Sequence, residues 1–376
     1  MAWLLARCKL IISHGLEDVT VSLRLFSAGS VYSPADPFAS ALLVKGAQVE
    51  WVGSDAGARS IADSSMQQQD LQGQLLTPAF ALASAAWAAD GAGLSRRLSE
   101  AGYGLRTWVL PEGELAGWLA GRPWSLENLF YLPLGALLEL LDQEEDVSGV
   151  VGAYLLDDRP VDPASLQVLA QAGLKLMLLP AGAPEASEQA LSALGQLDPD
   201  LRRALAPRYD GLALLSASAL DLAAQGQVSL GFISDLSLSA ASFKAALAAG
   251  LSVTLGADGL GPVSSLGWDL VAAAVEGGGV AQHAVSARGA FQAMTRGIFR
   301  ALGRGNPFAG QLVPSAPAHY ACWQVEALMV QTPDSRISAW STDPRGRTPL
   351  LPALGKDLAR PQLTGLFFEG EPLVGF

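Results

Sequence analysis

The sequence predicts an α/β protein: a (β/α)8 TIM barrel with a small β-sandwich domain formed from both chain ends. In the middle of the chain, eight short apolar runs alternate with Ala/Leu-rich amphipathic stretches. At both ends the pattern changes to β-like alternation without such helical stretches. Half of the 376 residues are hydrophobic, which supplies enough apolar material for a large core.

The N-terminal segment has the pattern of a β-meander. Its apolar alternation appears in "VTVSLRLFSAG", "SALLVKGAQVEWVGS" and "DLQGQLLTP", and Gly, Asp and Pro turn signals separate these runs. We therefore assign residues 1–75 to the N-terminal part of the small domain.

The central segment, residues 76–305, is predicted to form the barrel. Its candidate strands are "QLLTPAFAL", "GLRTWVL", "NLFYLP", "GVVGAYLL", "LKLMLLP", "GLALLS", "QVSLGFI" and "LSVTLGA". Several of the helical stretches between them end in Gly just before the next strand, which is typical of helix C-termini. A doubly wound open sheet is the alternative, but it would need fewer strands and usually a Gly-rich phosphate turn, and no GxGxxG or P-loop pattern occurs.

The C-terminal segment, residues 306–376, returns to β-like runs. They are "HYACWQVEALMV" and "TGLFFEGEPLVGF", and they follow the helical stretch "VSARGAFQAMTRGIFRALG". We expect this segment to complete the small β-domain.

The charge balance limits the class of partner. The formal net charge is −12 and the pI is near 4.7, so little basic surface is left to neutralise phosphates. This argues against nucleic acid or an anionic membrane and leaves a small molecule, a protein or a second copy in a homo-oligomer. The start "MAWLLARCKLII" lacks the features of a secretory signal, and no apolar stretch reaches roughly 18 residues. We therefore expect a cytoplasmic protein.

Four segments in order resemble motifs of the amidohydrolase superfamily. They are "ALLVKGAQVEWVGSDAGA", "LLTPAFALASAAW", "LSVTLGADGLGPVSSL" and "GAFQAMTRGIFRALGRGNPFAGQLVPSAPAHYACWQ". The resemblance extends over nearly the whole chain and is to the composite-domain type, similar to imidazolonepropionase and amide hydrolases. It implies a barrel whose C-terminal mouth holds one or two divalent metals for hydrolysis of non-peptide carbon–nitrogen bonds.

The resemblance also implies where metal ligands would stand, and most of these positions are replaced. The two histidines of the first-strand motif fall on Ser84 and Ala86, and the preceding aspartate falls on Leu82. The histidine of the sixth strand falls on Gly211 or a neighbour. Only the aspartate of the eighth strand is retained, as Asp258 in "GADG". In active relatives this aspartate binds metal or serves as a general base.

The histidine supply is also insufficient for such a site. The chain has three histidines, His14, His283 and His319, and none follows a candidate barrel strand. No metal cofactor is therefore expected, and the alternative is one divalent ion, Zn, Mg or Ca, near Asp258.

Other residues after candidate strands could contribute to a pocket. The acidic ones are Glu112, Asp157, Asp158 and Asp235, which could form an oxygen-rich Mg²⁺ or Ca²⁺ site with Asp258 or could simply favour helix N-termini. Trp87 could line the pocket or fill the space of a vacated mouth.

Three functions follow as hypotheses. The favoured one is a catalytically degenerate homologue of C–N bond hydrolases with a binding, regulatory or structural role. The alternative is an active hydrolase with an atypical site that uses Asp258. A third is an assembly subunit in which the exposed faces matter more than the barrel.

Overall fold

The computed structural model describes residues 22–87, 91–121, 125, 127–182, 184–303, 305–331, 340–341, 349–355 and 358–375. All eight segments predicted as barrel strands fall within these ranges. His14 lies outside them, as does the start of the predicted N-terminal part of the small domain.

In the described residues six strands precede the barrel. They are β1 (Leu23–Ser27), β2 (Ser30–Val31), β3 (Ala41–Lys45), β4 (Gln48–Gly53), β5 (Gln67–Asp70) and β6 (Leu75–Pro78). They confirm β-structure in this segment, but they do not form the predicted meander, because β1 pairs with β5 and β2 pairs with β6 in parallel. Strands β4, β3, β1 and β5 form one sheet in that order, whereas β2 and β6 join a second sheet with strands from the C-terminal segment. The run "LLTP" thus belongs to the second sheet, and the barrel begins two residues later.

Eight parallel strands form the barrel sheet in sequence order, which confirms the predicted fold class. They are β7 (Phe80–Ala86), β8 (Tyr103–Val109), β9 (Asn128–Pro133), β10 (Val150–Leu156), β11 (Lys175–Leu179), β12 (Arg208–Leu212), β13 (Ser229–Phe232) and β14 (Val253–Leu255). A single bridge between Ser84 and Ala257 joins the first strand to the chain just after the last. The barrel is therefore nearly closed.

Besides the first barrel strand, which begins at Phe80, the sixth strand differs clearly in position from the prediction. The sixth strand was expected at "GLALLS", residues 211–216, but β12 begins three residues earlier at Arg208. The charged residues of "RYD" interrupt the apolar pattern that was used to place the strand, yet the structure buries all three of these side chains.

The helices of the described residues mostly follow the barrel strands. They are α1 (Asp55–Ile61), α2 (Gly91–Glu100), α3 (Leu115–Gly121), α4 (Leu134–Asp142), α5 (Pro163–Gln171), α6 (Pro184–Gln196), α7 (Pro199–Leu205), α8 (Ala217–Gly226), α9 (Leu236–Ala248), α10 (Gly267–Val275), α11 (Ala287–Ala293) and α12 (Arg296–Ala301). Side-chain caps explain several starts: Asp162 accepts from two backbone amides at α5, and Ser216 accepts from one at α8. None of the described helices has the length and apolar character needed to cross a membrane.

The remaining strands complete a sandwich from both chain ends. They are β15 (Tyr320–Gln324), β16 (Leu328–Gln331), β17 (Trp340–Ser341), β18 (Leu351–Pro352), β19 (Gln362–Phe368) and β20 (Glu371–Val374). Strands β15, β19 and β20 extend the β2–β6 sheet, and β16 to β18 form a small third sheet. Phe26 of β1 packs edge-on against Tyr320 and Phe367 at ring-centroid distances of 5.5 and 6.0 Å, so the first two sheets share one apolar core.

The barrel interior is filled largely by apolar side chains. One buried cluster contains Ala81, Leu129 and Met177 from three strands, together with Ile298 and Phe299 of α12. The barrel is a packed core with space near its C-terminal mouth, where any site would have to lie.

Candidate functional site

A cavity opens at the C-terminal ends of the last four barrel strands. Its volume is about 290 Å³. The described residues that line it are Leu179, Pro180, Gly211, Ile233, Asp235, Leu238, Asp258, Leu260, Gly261, Pro262 and Ser264. Two of them are exposed large apolar side chains, Leu238 at 55% and Leu260 at 43%, so the cavity has an apolar rim in contact with solvent.

Asp258 is the buried carboxylate of this cavity. Its side chain follows β14 and is only 3% exposed. Oδ1 accepts hydrogen bonds from the backbone N–H and the hydroxyl of Ser234, both at 2.8 Å. Among the described residues Oδ2 has no hydrogen-bond partner. One oxygen is therefore anchored, and the other retains its full capacity to accept a hydrogen bond.

The surroundings of Asp258 oppose its ionisation. Burial raises the pKa of Asp258 from its usual 3.8 to about 6, while the two Ser234 hydrogen bonds lower it and the charges of Asp210 and Asp235 raise it. A carboxylate in such a setting is ionised at neutral pH, and a nearby positive charge would stabilise its ionised form.

A buried ion pair lies beside this carboxylate, inside the barrel. Arg208 and Asp210 are two residues apart on β12 and therefore project from the same face of the strand. The Arg208 Nε donates to Asp210 Oδ1 at 3.0 Å and Nη2 donates to Oδ2 at 2.5 Å, with 0% and 1% of the two side chains exposed. Nη2 also donates to the carbonyl of Ala83 at 3.0 Å, which ties β12 to β7.

The electrostatics of Arg208 fit this pairing. Burial alone would lower the pKa of Arg208, but the adjacent Asp210 carboxylate and the hydroxyl of Tyr131 raise it above its usual value. The guanidinium stays charged in the barrel because its partner is also buried and bidentate.

Ser84 completes the network. Its hydroxyl donates to Asp210 Oδ2 at 2.6 Å, and the backbone N–H of Gly259 donates to its Oγ at 3.3 Å. Its carbonyl accepts from the backbone N–H of Asp258 at 2.8 Å. The residue at the first histidine position of the resemblance thus connects Asp210 to the chain at Asp258.

The other replaced ligand positions carry no donor side chain. Ala86 ends β7 and is half-buried, and Leu82 is buried in the apolar core around the barrel. Gly211 lines the cavity with φ of +81°, but the acidic side chain that β12 directs into the barrel is Asp210, one residue earlier. The predicted ligand position fell on Gly211 instead of Asp210 because β12 starts three residues earlier than predicted.

Of the other acidic candidates, only Asp235 reaches the cavity. Asp235 is the N-cap of α9 and accepts from the backbone N–H of Ser237 at 3.1 Å. Glu112 is exposed at the start of a short 3-10 turn after β8, and Asp158 is half-exposed and pairs with Arg159. Neither is among the described residues that line the cavity.

Asp157 is buried, but its carboxylate bonds to neighbouring strand and helix units and does not line the cavity. Its Oδ1 accepts from the backbone N–H of Ala181 at 2.8 Å, and its Oδ2 accepts from the hydroxyl of Tyr209 and, at 3.3 Å, from that of Ser187 on α6. The carboxylate therefore joins three consecutive units of the barrel, a structural role at the edge of the mouth.

We expect Asp157→Ala to destabilise the fold by about 1–3 kcal/mol, because the Ala181 amide and the buried Tyr209 hydroxyl would lose their hydrogen bonds to the carboxylate, and only Ser187 would remain as a partner of Tyr209. Urea unfolding followed by circular dichroism measures this. Asp158→Ala, at the exposed neighbouring position, is the matched control and should change little. Equal effects of the two substitutions would contradict the structural role of Asp157.

Trp87, the predicted pocket candidate, packs elsewhere. Its ring lies edge-on to Trp108 and Phe130 at centroid distances of 5.0 and 5.5 Å, and both of these residues belong to the core between strands and helices. It supports the barrel wall and is not among the described residues lining the cavity.

The barrel and the sandwich from both chain ends are shared with solved structures of amidohydrolases. An amidohydrolase from an environmental sample of the Sargasso Sea aligns with a TM-score of 0.65 and 14% identity over 94% of this chain and 93% of that chain. An adenosine deaminase from Xanthomonas campestris with bound zinc aligns with a TM-score of 0.61 and 16% identity over 94% of this chain and 93% of that chain.

A metal-dependent hydrolase from Pyrococcus furiosus gives a TM-score of 0.62 and 12% identity over 80% of this chain and 98% of that chain. No family model and no curated protein matches the sequence. The protein thus shares the fold of these hydrolases, as its motifs predicted, and its site must be judged from its own residues.

The donor set at this barrel mouth does not fit the metal that the fold implies. Within the described part of the chain, no three His, Cys, Asp or Glu side chains come together as ligands. Asp210 already has a guanidinium as its cation. His319 is stacked between Phe299 and Phe368 in the sandwich region, and His283 lies in a 3-10 turn after α10, hydrogen-bonded to Gln282.

Proposed function

We propose that this chain retains the amidohydrolase fold without metal-dependent catalysis, and that its barrel mouth binds a small molecule in a binding or regulatory role. No metal cofactor is assigned. The Arg208–Asp210 ion pair is the observation that carries the proposal, since it places a protein cation on the carboxylate beside the retained Asp258.

Two further features support this function. The Ser84 hydroxyl donates a hydrogen bond to Asp210 and so belongs to the ion-pair network. As a serine, it supplies no imidazole or carboxylate ligand. Asp258 lines a cavity of about 290 Å³, close to the lower limit of about 300 Å³ for typical ligand pockets. The space for a ligand persists although the donor set is incomplete.

An atypical C–N bond hydrolase is the second candidate, and one observation favours it. Asp258 has a pKa raised to about 6 and an unpartnered Oδ2, which suits a general base that accepts a proton from water. On this hypothesis Asp258→Asn abolishes turnover of an amide or cyclic amide substrate.

Metal analysis tests the proposed function. We expect the purified protein to contain substoichiometric zinc, nickel and manganese, and its unfolding midpoint to be the same with added zinc or with EDTA, because a ligand that binds only the folded state would raise it. A stoichiometric ion that is lost in Asp258→Ala, or a midpoint lowered by EDTA, would contradict the proposal. Turnover of amide substrates by the EDTA-treated protein would favour the second candidate.

A further inference from the structure

We propose that the cavity at the barrel mouth binds a small organic cation, an ammonium or amidinium group on an apolar body, with the charged group at Asp258. This inference rests on the proposed function, because it assigns a ligand class to the same cavity. The charge, the hydrogen bonding and the shape of the cavity each support it.

The charge of the cavity favours a cation. Its described lining contains the carboxylates of Asp258 and Asp235 and no basic side chain. Asp210 lies nearby but is neutralised by Arg208. A carboxylate that is 3% exposed and shares the cavity lining with the acidic Asp235 is stabilised most by a positive charge of the ligand.

The hydrogen bonding favours a ligand with N–H donors. The Ser234 hydroxyl cannot serve Asp258 Oδ2, because it donates to Oδ1 and itself accepts from the backbone N–H of Ser264 at 2.8 Å. Oδ2 is left as a buried acceptor without a described partner. An ammonium or amidinium group supplies both the missing donor and the missing charge.

The shape favours an apolar body behind the charged group. Most of the lining is aliphatic, and Leu238 and Leu260 are exposed on its rim. At about 30 Å³ per water, the cavity of about 290 Å³ has room for a molecule the size of about ten waters. A ligand of this size would remove the two rim leucines from water.

Calorimetric titration of the full chain at neutral pH with three matched probes tests the ligand class. The probes are benzylammonium, benzyl alcohol and benzoate, which share one ring and differ in charge. We expect benzylammonium to bind and the other two to bind at least about tenfold more weakly, which is the effect of losing a hydrogen bond to a charged group.

Variants locate the binding. Asp258→Asn should weaken benzylammonium binding about tenfold or more, whereas Asp221→Asn, an exposed residue of α8 with the same change of charge, should leave it unchanged. Leu238→Ala should weaken it about threefold, because one apolar contact on the rim is lost. Since Leu238 is exposed, this variant is informative even where Asp258→Asn perturbs the fold.

The results that overturn the inference differ from those that overturn the proposed function. Benzoate or benzyl alcohol binding as tightly as benzylammonium, no binding of any of the three, or unchanged affinity in both Asp258→Asn and Leu238→Ala would refute the ligand class. A stoichiometric catalytic metal would instead refute the proposed function and leave the measured preference for a cation unaffected.

Discussion

Arg208→Met should lower the free energy of unfolding by about 3–5 kcal/mol, because it leaves the Asp210 carboxylate buried at 1% exposure without its counter-charge. The Ser84 hydroxyl would remain as a donor, but one neutral hydrogen bond does not replace a bidentate guanidinium. Methionine approximates the length of the arginine stem, so the loss reports mainly on charge. Urea unfolding followed by circular dichroism measures it.

A double variant separates the ion pair from general packing. Arg208→Met combined with Asp210→Asn should recover at least about 2 kcal/mol relative to Arg208→Met alone, because no uncompensated charge remains. Arg203→Met is the control for removing an arginine, since Arg203 pairs with Asp200 on the surface with both side chains largely exposed. If the double variant were no more stable than Arg208→Met, the ion-pair interpretation would be wrong.

Asp258→Asn should change how stability depends on pH. The pKa of Asp258 is about 6 in the folded state against 3.8 as its usual value, so the folded state binds the proton more tightly. This group's contribution to stability is therefore fully present below about pH 4 and is lost as the pH rises through about 6. At about 1.36 kcal/mol per pKa unit, the whole contribution is about 3 kcal/mol, of which about 2 kcal/mol is lost between about pH 4 and about pH 7.

The asparagine variant lacks this titration. Its stability relative to the wild type should rise by about 2 kcal/mol between about pH 4 and about pH 7, as measured by urea unfolding at a series of pH values. Asp221→Asn provides the matched control, and its curve should parallel that of the wild type. Parallel curves for Asp258→Asn would show that burial does not raise the pKa of this carboxyl.

The barrel was predictable from sequence because most of its strands are continuous apolar runs. "NLFYLP" is reproduced residue for residue as β9, and "GVVGAYLL" agrees with β10 to within one residue. Strands that are buried on both faces have such runs, and helices that end in Gly separate them. The sandwich followed from alternation at the two chain ends.

The sixth strand was misplaced for a physical reason. Arg208 and Asp210 neutralise each other inside the barrel, so two charged residues occupy positions that an apolar pattern cannot reveal. Their spacing of two residues is the only local signal that both side chains lie on one face of a strand. The partner that fixes Asp210 from across the barrel, Ser84, is 126 residues away in sequence, and no local pattern connects them.

The candidate site was predictable in part. Asp258 followed from the resemblance of "GADG", and the structure places it at the cavity. Asp157 and Trp87 each follow a barrel strand, as the pattern required. Where each side chain points depends on its neighbour: Asp157 contacts Tyr209, and Trp87 contacts Trp108. Such contacts are set by tertiary packing, which sequence position alone does not specify.

The closure of the barrel has a consequence for its motion. The first and last strands meet through one bridge, with the backbone N–H of Asp258 donating to the carbonyl of Ser84, whereas neighbouring strands elsewhere are joined by ladders. Because fewer inter-strand hydrogen bonds hold this seam, we expect its amide hydrogens to exchange with deuterated water sooner than those of the laddered strands.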